Sequence, residues 1–77
     1  TYKAEQAVVN LRVGRYEEAV QILNNILKED PKYAEAYRLM GIAQLQMKKD
    51  KEACASFAKA KELGDPNVDA LIEKHCK

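Results

Sequence analysis

At 77 residues, 47% hydrophobic and 32% charged, the chain can form one small domain with a thin core, because a domain of this size hides only about 60% of its unfolded surface on folding. Its 13 basic and 12 acidic residues interleave to a net charge of +1, so no long-range field draws in a phosphate backbone and nucleic acid is disfavoured as a partner. No apolar stretch approaches the roughly 20 residues that a membrane helix needs, and membrane insertion is not expected.

Ala4, Ala7, Val8 and Leu11 fall at i, i+3, i+4 and i+7, one face of a first helix, and Gly14 offers the positive φ at which it stops, near Val13. Tyr16-Glu17-Glu18 puts acid in the first turn of a second helix, where the helix dipole favours it. Ala19, Leu23 and Ile26 form its inner face, and it runs to about Glu29. Asp30-Pro31 reads as a start signal, with Asp capping free amides and Pro at the first helical position. The third helix then extends to about Met47, with Tyr33, Ala36, Tyr37, Met40 and Ala43 on one side and Leu39, Ile42 and Leu45 on another.

Lys48 stands where Gly14 stood, and a lysine forced to positive φ there costs of order 1 kcal/mol. Asp50 is the expected cap of a fourth helix carrying Ala53, Phe57 and Ala60. Gly64-Asp65-Pro66 closes that helix and opens a fifth, whose Val68, Leu71, Ile72 and His75 share a face.

The two halves are copies. Ala7, Glu18, Ala19, Leu23 and Ile26 map onto Gly41, Glu52, Ala53, Phe57 and Ala60, each 34 residues on. Asp30-Pro31 recurs as Asp65-Pro66 at a spacing of 35, so one extra residue, read as Gly64, enters the second junction. A period of this length is the signature of stacked helix-turn-helix units.

The second unit reads Tyr37-x2-Met40-Gly41-x2-Gln44, then Ala53-x3-Phe57, Ala60 and Pro66. It resembles the tetratricopeptide repeat, whose pattern is an aromatic, two residues, Leu-Gly, two residues, Tyr, then Ala-x3-Phe and Pro. The first unit keeps Gly14, Tyr16, Ala19, Leu23 and Pro31 but has Lys3 and Gln6 at the aromatic and leucine positions. The resemblance implies an all-α solenoid: one domain of two helical hairpins, about 1–33 and 34–66, and a capping helix, about 67–77. Small residues let paired helices approach closely; Ala7, Gly41 and Cys76 are the expected stations on the first helices, with Ala19, Ala53 and Ala60 on the second.

In the resembled family the first helix of each unit lines a concave groove that holds a partner peptide. Carried onto this chain, the groove shows Ala4, Val8, Leu11 and Arg12, then Glu35, Arg38, Ile42, Leu45 and Gln46. Val8, Leu11, Ile42 and Leu45 make its middle aliphatic, which means either a binding surface or a face covered by a neighbouring repeat or a second copy. The Lys and Asn with which some members grip a terminal carboxylate are replaced by Ala4, Val8, Leu39 and Ile42, so that clamp is not expected, although Arg12 and Arg38 can engage an acidic residue.

The expected function is a non-catalytic protein-interaction scaffold. The alternative is self-association, since two units are fewer than the about three a solenoid usually needs. Cys54 and Cys76 are too few for a disulfide framework and are read as free thiols, a lean toward a reducing, cytoplasmic setting. His75 without a second Cys or His pair makes no zinc pattern, and no nucleophile–base set or phosphate loop is present. No enzyme activity, metal or cofactor is expected. The opening at Thr1 without a methionine reads as a fragment or a processed product.

Overall fold

The computed structural model describes residues 4–76. Among them are five helices and no strand: α1 (Ala4–Arg12), α2 (Tyr16–Glu29), α3 (Ala34–Gln46), α4 (Asp50–Glu62) and α5 (Val68–His75). Consecutive helices pack on one another, and α1 also touches α3. The Cα envelope of 34 × 25 × 16 Å is two helical layers deep, given interaxial distances of about 8–10 Å.

Three of the four inter-helix turns use one device. After α1, Gly14 N–H donates to Leu11 C=O (3.3 Å) and Arg15 N–H to Asn10 C=O (2.8 Å). After α3, Lys48 N–H bonds Leu45 C=O (3.0 Å) and Lys49 N–H bonds Gln44 C=O (2.8 Å); after α4, Gly64 and Asp65 bond Lys61 and Ala60, both at 3.0 Å. These paired bonds satisfy carbonyls that the helix end leaves open, and they require a left-handed residue at the centre. Gly14 (φ 85) and Gly64 (φ 97) take it freely, and Lys48 (φ 63) takes it too. Gly64, the residue inserted at the second junction, thus closes α4 with a bend that the first junction lacks.

The helix starts differ from expectation. Pro31 lies in a turn and α3 begins at Ala34, after Tyr33. Asp30 Oδ1 accepts from Lys32 N–H (3.2 Å) and Asp65 Oδ1 from Asn67 N–H (2.8 Å), so each Asp-Pro pair builds a turn ahead of its helix and caps none. A carboxylate two residues from an N–H closes this local ring more readily than it reaches across a proline. Asp50 is likewise the first residue of α4, preceded by Lys49, and makes no cap bond.

Small residues sit where helices cross. Ala7, Ala19, Ala53 and Ala60 are fully buried, and a Cβ at Gly41 would overlap the ring of Phe57. Leu23 and Phe57, equivalent by the repeat, are the largest fully buried side chains. Ala4, Ala7, Ala19, Leu23, Ile26, Ala36, Leu39 and Met40 form one apolar cluster, and Ala53, Phe57, Ala60 and Val68 a second; Ile42 packs against both. Where the repeat pattern has Tyr, Gln44 Oε1 accepts a 2.7 Å hydrogen bond from Ser56 Oγ, linking α3 to α4.

The cysteines overturn the free-thiol expectation. Cys54 and Cys76 are joined in a disulfide across a Cα–Cα distance of 5.7 Å. Cys76 follows the last residue of α5 and is half-buried, so it is no counterpart of Ala7 and Gly41. Spacing along the chain, 22 residues, carries no sign of this; the fold brings the two together by laying α5 back on α4. The lean toward a reducing compartment loses its basis.

Candidate functional site

α1 and α3 bound an open cleft of about 500 Å³, lined by Ala4, Glu5, Val8, Val9, Arg12, Tyr33 and Glu35. Of the residues carried onto the groove by resemblance, it gathers Ala4, Val8, Arg12 and Glu35. Ala4 is buried at its floor, and Val8 is half-buried. The acidic end is organised by Tyr33, whose Oη donates to Glu35 Oε2 at 3.3 Å. The phenol's pKa is raised above the ordinary 10.0, first by burial, then by the charge and hydrogen bond of Glu35, and further by Asp30 and Glu5. Tyr33 therefore remains a neutral hydrogen-bond donor beside two carboxylates.

Arg12 lies at the other end. It lies seven positions after Glu5 on α1, about 10 Å along the helix axis, and among the described residues no carboxylate pairs with its guanidinium. Val8 and Val9 lie between. The cleft thus has an acidic pole, an apolar middle and a basic pole.

The other carried-over residues sit elsewhere. Leu11 is half-buried against the first core cluster, Leu45 against the second, and Ile42 against both. These aliphatics, with Val8, each pack in part against the chain's own core. Gln46 is exposed. Arg38 is engaged within the chain, its Nε 2.8 Å from Asp65 Oδ2 and an Nη 3.7 Å from Glu35.

Sequence reasoning missed Glu5, Val9 and Tyr33. Among the described residues the exposed large hydrophobics are Val9 and Val13, at 58% and 64%. Their equivalents 34 residues on, Ala43 and Met47, are fully buried and half-buried respectively. That comparison was available in the repeat, since a position that is covered in one unit and apolar in the next lacks its cover in the terminal unit.

A family model of the tetratricopeptide repeat matches residues 10–74. The chain belongs to the tetratricopeptide repeat family, whose repeats generally mediate protein–protein interaction and whose members are typically non-catalytic scaffolds. Comparison with curated proteins and with solved structures finds no match to either. Among the described residues no helix is long and apolar enough to cross a membrane.

Proposed function

We propose that this chain is a protein-interaction module that holds a segment of a partner protein in the α1/α3 cleft, without catalysis. In this reading it is a single domain of two hairpin units, about 1–33 and 34–66, with 67–77 as the cap. The observation that supports it is the cleft's polarity: Glu5 and Glu35 with Tyr33 at one end, Arg12 at the other, and Val8 and exposed Val9 between. The matching segment carries a basic residue, one or two apolar residues and an acidic residue, with the acid engaging Arg12 bidentately. Leu11, Ile42, Leu45 and Gln46 continue the concave side, and Arg38 stiffens it in place of contacting the partner.

Panning a displayed random-peptide library against the folded chain tests this. Enriched peptides should share the basic–apolar–acidic order, and Arg12→Glu should cost them at least about tenfold in affinity with helicity unchanged, as loss of a charged pair at an interface does. Enrichment indifferent to Arg12 and Val9 counts against the cleft.

Self-association is the second reading, favoured by exposed Val9 on α1 and exposed Val13 in the turn just after it. The opposite end is less suited, because Asp69, Ala70, Glu73 and Lys74 are exposed on α5. Sedimentation across a concentration series separates the two readings: Val13→Asp abolishes a dimer formed there, while a chain monomeric at all concentrations removes this alternative.

A further inference from the structure

The geometry points to the Cys54–Cys76 disulfide as a site of thiol–disulfide exchange that governs whether α5 stays docked on α4. The two ends of α5 are held differently. Its N-terminal end is fixed by non-covalent contacts: Val68, its first residue, is fully buried, and the preceding turn is pinned by Asp65 through Arg38 and Asn67 N–H. Beyond Val68 the anchoring thins. Leu71 and Ile72 rest half-buried on the α4 cluster, Asp69 meets Lys61 of α4 in a 3.3 Å surface ion pair, and the disulfide at Cys76 holds the far end.

An eight-residue helix is too short to persist alone in water, where about 12–15 residues are marginal. Its order therefore depends on docking, and the disulfide is the covalent part of that docking. Both cysteines are half-buried and neither is in the fully buried core, and exchange needs a thiolate to reach one of their sulfurs.

The reductant is a dithiol. One of its thiolates attacks a sulfur of the Cys54–Cys76 bond, forming a mixed disulfide and expelling the other cysteine as thiolate. Its second thiolate then displaces the remaining cysteine, closing the reductant's own disulfide. Two electrons pass to the protein, and the two protons of the dithiol end on Cys54 and Cys76. Release of the α5 C-terminal half uncovers the edge of the Phe57–Ala60 cluster on which Leu71 and Ile72 rest.

Hydrogen exchange followed by mass spectrometry, on the whole chain with and without dithiothreitol, tests this. Amides of the second half of α5 should exchange at least about tenfold faster when reduced, while α1–α3 keep their rates, the pattern of a local opening. The double variant Cys54→Ser/Cys76→Ser should match the reduced protein and ignore the reductant. The proposal is overturned by unchanged α5 exchange on reduction, by equal acceleration of all five helices, by a disulfide that millimolar dithiothreitol leaves intact in the native fold, or by two titratable thiols in protein kept under air.

Discussion

Arg38 and Asp65, 27 residues apart in the chain, meet in a 2.8 Å contact between Nε and Oδ2 that ties the first half of α3 to the turn ahead of α5. The Asp65 side chain is 5% exposed and Arg38 21%, so the charges are largely shielded from water. Asp65 spends its other oxygen on Asn67 N–H. A residue that resemblance assigned to the groove therefore has a structural employment that the repeat register does not reveal, because its partner lies 27 residues on, at the far end of the same unit.

Removing the cation leaves a buried carboxylate with one hydrogen bond. Breaking such pairs from one side costs about 3–5 kcal/mol when they are fully buried; with Arg38 partly exposed, Arg38→Ala should cost about 2–3 kcal/mol. Urea unfolding measures it. A loss below about 0.5 kcal/mol, the range of exposed pairs, would return Arg38 to partner binding.

Gly41 faces the Phe57 ring, which is fully buried, so a Cβ there would overlap it. Gly41→Ala should destabilise by about 1–3 kcal/mol, as overpacked cores do. The gain in helix propensity, about 1 kcal/mol, offsets only part of it. Thermal unfolding of the variant is the check, and an unchanged midpoint would mean that α3 and α4 can separate at no cost.

Lys48 occupies φ 63 at the centre of the α3–α4 turn, the position that Gly14 fills after α1. Lys48→Gly should stabilise by about 0.5–1 kcal/mol, the left-handed penalty outweighing the extra entropy of glycine in the unfolded chain. The same change at neighbouring Lys49, φ −102, should be neutral or destabilising.

Tyr33 sets an alkaline signature. Its pKa is raised by burial first and by Glu35 next, so the unfolded chain releases this proton before the folded one does. The folded state's advantage from the neutral phenol is complete below pH 10 and is lost as pH rises past 10 through the folded value. Tyr33→Phe should therefore lose less stability than the native chain between about pH 9 and 11, read as the shift in urea midpoint.

Much of this was legible in the sequence because the repeat states each packing rule twice. The 34-residue offset placed Ala19, Ala53 and Ala60 at helix crossings, and the glycine at 14 announced the positive φ that Lys48 must also adopt. What stayed hidden depends on distance in space. Asp30 and Asp65 follow the rules for both caps and turns, and only the backbone path chooses the turn. Cys54 and Cys76 carry no local pattern, and sequence cannot show how deep Leu11, Ile42 and Leu45 sink into the core. The cleft itself was half visible: Ala4, Val8, Arg12 and Glu35 came from the repeat register, whereas Tyr33, just before α3, joins it through a turn that no helical periodicity describes.

The most direct test of the cleft is to titrate a selected peptide into isotope-labelled chain and map backbone amide shifts. Perturbations concentrated at Val8, Val9, Arg12 and Glu35, and abolished in Arg12→Glu, are the predicted result. Shifts confined to the outer faces of α2 and α4, with Arg12→Glu binding as tightly as the native chain, would contradict it.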